Sequence, residues 1–100
     1  MKVVFTPLAE RQLDSLYEYI ATRADPGRAD SYVGRVVAYC ETLKTFPRRG
    51  HRRDDLTPGL RIIGFERRIT IAFVVTPDAV LIEGIFYAGR DIPAAFRATD

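Results

Sequence analysis

Three apolar, β-branched runs lie within residues 59–91, and their spacing restricts the possible fold more than any other feature of the chain. The runs are Leu60–Phe65, Ile69–Val75 and 80–87, and the connections between them contain three and four residues. Connections this short fit β-hairpins and leave no room for a crossover helix. The sequence therefore predicts three consecutive antiparallel strands.

The middle run predicts a strand with one strongly apolar face. Because side chains alternate along a strand, one face carries Ile69, Ile71, Phe73 and Val75. Three such strands need a cover, which the first half of the chain must supply. The chain is too short to cover both faces, so the second face is expected to stay largely open. The apolar residues on this second face are either Ile63, Phe65, Val74, Leu81 and Ile85 or the residues that alternate with them along the strands.

Two helices are predicted before the sheet. Thr6-Pro7 and Asp25-Pro26 each combine a capping side chain with a proline at the first helical position. Apolar residues then recur at helical spacing and predict helices over Pro7–Arg23 and 26–45. Because only a few residues separate them, the two helices are expected to form an antiparallel hairpin.

The remaining segments complete the predicted architecture. Lys2–Phe5 is expected to join the sheet as a short strand. The apolar stripe of the second helix runs to Phe46, and residues 48–58 are expected to form a loop. Residues 92–100 are expected to form a short tail that frays at its end, with at most weak docking of Phe96 and Ile92. The order strand, helix, helix, strand, strand, strand indicates an α+β fold. We therefore predict one domain over 1–100, with the helical hairpin on one face of an antiparallel sheet.

The composition is that of an ordinary globular domain, with 47% apolar and 28% charged residues. No apolar run approaches the ~20 residues of a membrane span, and the N-terminus lacks a secretory pattern. The cytoplasm is therefore the expected compartment. The single cysteine, Cys40, lies on the apolar stripe of the second helix and is predicted to be a core residue.

Positive charge is concentrated in residues 44–68. This segment holds eight basic and three acidic residues, whereas the whole chain has a net charge of only +2. Most of the basic residues are arginine, which suits bidentate contact with phosphate or carboxylate. Either a solvated loop or a basic surface for nucleic acid or an acidic protein is consistent with this pattern.

Metal, cofactor and nucleophile motifs are poorly represented. The chain has one histidine and one cysteine, and no spacing typical of a zinc site or of a phosphate-binding loop. His51 is expected to be a solvated loop residue. We therefore predict no metal and no cofactor.

The chain resembles the RelE/ParE superfamily of type II toxins, and within it ParE more than RelE. The resemblance extends over nearly the full length, from VVFTPLAERQLDSLYEYIA at the start to IEGIFYAGRD near the end. It includes a proline–arginine turn after the second helix, a Gly-Leu-Arg entering the next strand and an Arg-Asp after the last. These positions are Pro47, Arg48, Gly50, Gly59, Leu60, Arg61, Arg90 and Asp91.

The resemblance implies an antitoxin partner and a toxin–antitoxin hetero-oligomer. A ParD-like antitoxin is expected to lay an amphipathic segment on the helical hairpin and the sheet. The candidate contacts are Leu13, Leu16, Tyr17, Ile20, Phe65 and Phe73. For each of them, the alternative is an ordinary position in the hydrophobic core.

Two toxic mechanisms are implied by the resemblance, and a relative that has lost toxicity is a third possibility. A ParE-like chain inhibits DNA gyrase by binding it, is not an enzyme and arrests growth. A RelE-like chain cleaves mRNA on the ribosome. We predict the gyrase mechanism, with a target-binding set of Arg48, Arg49, Arg52, Arg53, Arg61, Tyr87 and Arg90.

The alternative nuclease depends on arginine and tyrosine at one phosphate. Arginine can stabilise developing charge and tyrosine can act as acid or base, which selects Arg61, Tyr87 and Arg90. Arg90 can instead form a local ion pair with Asp91. Glu66 and Glu83 are possible general bases, and neither has a convincing second partner.

Overall fold

A computed structural model describes residues 1–88 and 92–97, with the side chain of Arg97 excepted. The elements are β1 (Lys2–Phe5), α1 (Pro7–Arg23), α2 (Pro26–Thr42), β2 (His51–Arg52), β3 (Leu60–Phe65), β4 (Ile69–Val75), β5 (Ala79–Tyr87) and α3 (Ile92–Arg97). Within the described part of the chain, no helix has both the length and the apolar character needed to cross a membrane.

The sheet has the predicted core of three antiparallel strands and one short strand added at each edge. Its order is β1-β5-β4-β3-β2. The edge strand β1 pairs with β5 in parallel, whereas the other pairs are antiparallel. The α+β architecture predicted from the sequence is therefore confirmed.

Both helix starts are capped as predicted. The Thr6 hydroxyl accepts a hydrogen bond from the Ala9 N–H at 3.2 Å, and the Asp25 carboxylate accepts one from the Arg28 N–H at 2.8 Å. Each cap satisfies a backbone donor that the helix cannot. α1 packs against α2 and against β5. The Gln12 side chain of α1 also accepts the Ile85 N–H at 2.6 Å, beyond the point where β1 ends.

The helical hairpin covers one face of the sheet. Its core includes Leu16, Val36 and Leu43 from the helices, packed against Ile71 and Phe73. Cys40 is fully buried here, as predicted, and burial raises the pKa of its thiol to about 12. The thiol is therefore neutral at physiological pH and packs as a small apolar group.

The second face of the sheet is covered more than the sequence indicated. A second core of Leu60, Ala72, Phe86 and Phe96 lies there, and the Phe86 and Phe96 rings are 6.2 Å apart. The expectation of a frayed tail is therefore wrong for the described residues, because α3 buries Phe96 on the sheet. A segment of six residues is too short to show apolar residues recurring at helical spacing, so the sequence does not predict this helix.

The apolar residues proposed for the second face do not share one face. Ile63 and Phe65 pair with Ile71 and Ile69 and lie on the helix side, while Val74 lies on the second face. A β-bulge explains part of the error. Phe73 pairs with Ile82 whereas Ala72 pairs with Gly84, so Glu83 is an extra residue. One inserted residue reverses the face of every later side chain in the strand, including Ile85.

The segment after α2 also differs from the prediction. α2 ends at Thr42, and the chain tightens through bonds from Leu43 N–H to Cys40 C=O and from Thr45 N–H to Thr42 C=O. Residues 48–58 are not wholly a loop, since β2 pairs with β3 along its edge. Hydrogen bonds of the backbone hold this edge strand in place. Because it contains only two residues, it shows no alternation of apolar side chains that would predict it from the sequence.

Gly50 is the residue that lets this segment approach β3. Its φ is +77°, and a Cβ built there would overlap the backbone carbonyl of Ile62. Gly50→Ala is expected to destabilise the chain by about 1–3 kcal/mol from the left-handed backbone alone, and by more from the overlap. Urea denaturation of both proteins measures the change, and an unchanged midpoint would contradict the close approach.

Gly34 offers the opposite case in the middle of α2. A glycine here fits either a close approach to α1 or a solvent-side position, and apart from its chain neighbours and the local helix backbone no atom lies within 4 Å of a Cβ built there. Gly34→Ala is therefore expected to stabilise the chain by about 1 kcal/mol, the helix-propensity difference. The same denaturation series measures it, and a loss of stability would indicate a contact that this geometry lacks.

Candidate functional site

The end of α2 and the segment leading to β2 present an aromatic side chain beside arginines. Phe46, predicted to complete the apolar stripe of α2, is instead 69% exposed, because the helix ends before it. Leu43 is fully buried and anchors the turn. We call the surface formed by residues 45–49 the Phe46 surface. Sequence reasoning missed Phe46 because its spacing continued the stripe, although Pro47 indicated that the helix stops nearby.

Arg49 holds the Phe46 surface against α2. Its guanidinium donates to the Tyr39 hydroxyl at 2.9 Å and to the Thr42 hydroxyl at 3.3 Å, and lies 5.2 Å from the centre of the Tyr39 ring. The Tyr39 ring in turn packs on Phe65 at 5.0 Å. Arg61 adds a bond of 3.4 Å to the Arg49 carbonyl. Both arginines are thus engaged in positioning the segment.

Arg52 and Arg53 are occupied by the acidic residues that follow them. Arg52 makes a bidentate pair with Asp54 at 2.9 Å, and Arg53 makes one with Asp55 at 2.9 and 3.0 Å. The guanidinium of Arg52 lowers the pKa of Asp54, aided by the Gly59 N–H, and that of Arg53 lowers the pKa of Asp55. These pairs neutralise two of the eight basic residues in residues 44–68.

Arg48 differs from the other arginines of this segment. It is exposed, and it makes no hydrogen bond or ion pair with any residue in 1–88 or 92–97. Its guanidinium is therefore available to a partner beside the exposed ring of Phe46. Of the arginines predicted to bind a target, Arg48 is the one in residues 1–88 whose guanidinium has no partner among the described residues.

Arg61 and Tyr87 lie on the helix side of the sheet but far apart. Arg61 pairs with Phe73, while Tyr87 pairs with Ile69, four residues away along β4. From the geometry of β-strands, Arg61 and Tyr87 are separated by about 13 Å along the strands and by about 10 Å across them. The two side chains predicted to share a phosphate are therefore not brought together. Arg90, the third, and Asp91 lie outside the described residues.

The two candidate general bases are also separated. Glu66 is in the β3–β4 turn and pairs with Arg35 through two bonds of 3.0 Å. Glu83 is at the bulge in β5, where burial raises the pKa of its carboxyl. His51 is exposed on β2. Across residues 1–88 and 92–97, no group of three or more His, Cys, Asp or Glu side chains could hold a metal.

The Arg35–Glu66 pair predicts a pH effect. The Arg35 guanidinium lowers the pKa of Glu66 below its ordinary 4.5, so the pair contributes stability above that pH and loses it as the pH falls through the folded-state pKa. Glu66→Gln is expected to lower Tm slightly at about pH 6, and the difference from wild type should vanish in acid. A Tm difference independent of pH would contradict the pairing, and Glu18→Gln on exposed α1 is the matched control.

The predicted antitoxin contacts divide by burial. Leu16 is 5% exposed and Phe73 is fully buried, so these two belong to the core and have no surface for a partner. Leu13, Tyr17, Ile20 and Phe65 are half-buried, and part of each side chain is accessible.

Comparisons with known proteins define the class. The model of the ParE toxin family, the toxin of the type II toxin–antitoxin system parDE, matches residues 3–92. A solved structure described as the chromosomal ParDE TA system from P. aeruginosa is 25% identical, with a TM-score of 0.76, over 88% of this chain and 96% of that one. A comparison with curated proteins gave no match.

The family match and the shared fold define a toxin of a type II toxin–antitoxin system. The chain belongs to the ParE toxin family. The resemblance seen in the sequence is thereby confirmed, including the preference for ParE over RelE.

Proposed function

We propose that this ParE-family toxin arrests growth by binding DNA gyrase in the cytoplasm, without chemistry of its own, and that a ParD-like antitoxin neutralises it. The observation that carries the proposal is the Phe46 surface. An exposed phenylalanine beside an arginine that has no partner among the described residues has the composition of a protein-binding hot spot, in which an aromatic anchor supplies apolar area and arginine supplies directed hydrogen bonds.

The rigid setting of Phe46 also favours a binding role. Arg49, Tyr39 and the buried Leu43 hold the surrounding backbone in place. Because these contacts exist before any partner binds, the ordering cost on association is small. The side chain is therefore presented to a target in a prepared position.

The proposed antitoxin contact is on a different surface. The accessible parts of Leu13, Tyr17 and Ile20 follow α1 at helical spacing, which suits a partner that lays an amphipathic segment alongside the helix. The solved relative is described as a ParDE toxin–antitoxin system. By analogy, we expect this chain to form a hetero-oligomer with its own antitoxin.

Direct binding to purified gyrase tests the proposal. Toxin separated from its antitoxin is immobilised, and gyrase is titrated over it in a biosensor. Wild-type toxin is expected to bind, Arg48→Glu to bind much more weakly, and Arg11→Glu, which reverses an exposed charge on α1, to bind like wild type. Absence of wild-type binding, or equal binding by Arg48→Glu, would overturn the proposed target or the proposed surface respectively.

A further inference from the structure

A second recess lies on the side of the molecule where α1 ends and α2 begins. It has a volume of about 370 Å³ and is bounded also by the β3–β4 turn and by the end of β5. Its polar lining is formed by Arg28, Ser31, Tyr32, Arg35, Arg68 and Tyr87. We call it the tyrosine–arginine cleft. Nothing in the proposed gyrase contact uses it.

Three arginines from two elements converge on this cleft, and two of them already hold carboxylates. Arg35 makes its bidentate pair with Glu66, and Arg28 lies 3.6 Å from the Asp25 carboxylate. The Arg68 guanidinium makes no hydrogen bond or ion pair with any described residue. Among the described residues, these three arginines therefore face two carboxylates, and the unmatched positive charge is at Arg68.

Tyr32 contributes a polar atom that the fold does not use. Its hydroxyl oxygen is buried and has no hydrogen-bond partner among the described residues. Burial, Glu66 and Tyr87 raise the pKa of this hydroxyl, so it remains a protonated donor. A buried hydroxyl without an acceptor costs free energy, and an acceptor entering the cleft would recover it.

We propose that the tyrosine–arginine cleft binds a glutamate or aspartate side chain of a partner protein, whose carboxylate accepts from the Tyr32 hydroxyl and pairs with the Arg68 guanidinium. The apolar wall formed by Ile20 and the ring of Tyr87 contacts the methylene groups of that side chain. The inference does not depend on which protein carries the carboxylate.

The surroundings favour a carboxylate over nucleic acid. A nucleic-acid strand needs a track of cations along successive phosphates, and here the carboxylates of Asp25 and Glu66 already pair with two of the three arginines, Arg28 and Arg35. A lone side chain enters past these anions more easily than a strand of charges does. The two existing Arg–carboxylate pairs also show that the geometry of the cleft suits this ligand group.

Nuclear magnetic resonance with small probes tests the proposal. The ¹⁵N-labelled chain is titrated with N-acetylglutamate N-methylamide, with the neutral glutamine analogue and with inorganic phosphate. The glutamate probe is expected to shift the amides of Ser31, Tyr32 and Arg68 saturably, and the glutamine analogue is not. Arg68→Gln is expected to weaken binding by about tenfold, the loss of one charge-assisted pair.

Matched variants distinguish specific binding in the cleft from a general effect of positive charge. Arg67→Gln removes the neighbouring charge in the same turn and is expected to bind like wild type. Tyr32→Phe removes only the unpartnered hydroxyl, keeps the fold and is expected to weaken binding severalfold. Equal affinity for the glutamine analogue, tighter binding of phosphate, or unchanged binding in both Arg68→Gln and Tyr32→Phe would overturn the proposal.

Discussion

Phe46→Ala is expected to weaken the binding of gyrase by about 30-fold or more, because a buried aromatic anchor at an interface contributes about 2 kcal/mol or more. The ring is 69% exposed in the free chain, so its removal takes little from the core. The thermal midpoint should therefore stay within about 2 °C of wild type. Titration of gyrase against immobilised toxin measures the affinity, and circular dichroism measures the midpoint.

Val4→Ala is the matched control for this variant. Val4 is an exposed aliphatic side chain, at 37%, and it lies on β1 at the opposite edge of the sheet from β2. Its removal should leave the affinity for gyrase unchanged. If Phe46→Ala and Val4→Ala bind equally well, the Phe46 surface is not the contact.

Phe73→Ala is expected to lower the free energy of unfolding by about 3–5 kcal/mol, the cost of removing a fully buried ring and leaving a cavity. A domain of this size has about 5–15 kcal/mol in total, so the variant should lose a large fraction of its stability. Urea denaturation of the purified toxin measures the change. Phe73→Leu fills most of the volume and should lose much less.

The same pair of variants distinguishes core from partner surface. If Phe73 were an antitoxin contact, Phe73→Ala would keep its stability and lose affinity for the antitoxin. Because Phe73 is fully buried, we expect Phe73→Ala to lose stability, and any loss of affinity for the antitoxin to follow from the loss of folding.

The strength of the local sequence signals decided which elements were predictable. β3, β4 and β5 each carry several alternating apolar residues, and both α1 and α2 begin with a cap and a proline, so five elements followed directly from local chemistry. β2 and α3 contain two and six residues and are stabilised by contacts with distant parts of the chain. No local pattern encodes such contacts.

The candidate site was less predictable than the fold. Arginine content singles out residues 44–68, but the pairing of Arg52 with Asp54 and Arg53 with Asp55 depends on side-chain geometry that composition does not reveal. The exposure of Phe46 depends on where α2 stops. In the sequence, Tyr32 falls among the apolar residues that recur at helical spacing along α2, and only the packed structure shows that its hydroxyl lacks a partner among the described residues.

The most direct test of the account is to measure DNA supercoiling and mRNA integrity with one preparation of purified toxin. Purified gyrase and relaxed plasmid form one reaction, and a reconstituted translation system with labelled mRNA forms the other. Wild-type toxin is expected to inhibit supercoiling, Phe46→Ala is expected to inhibit it far less, and the mRNA is expected to stay intact. Full supercoiling in the presence of toxin, together with cleaved mRNA, would contradict it.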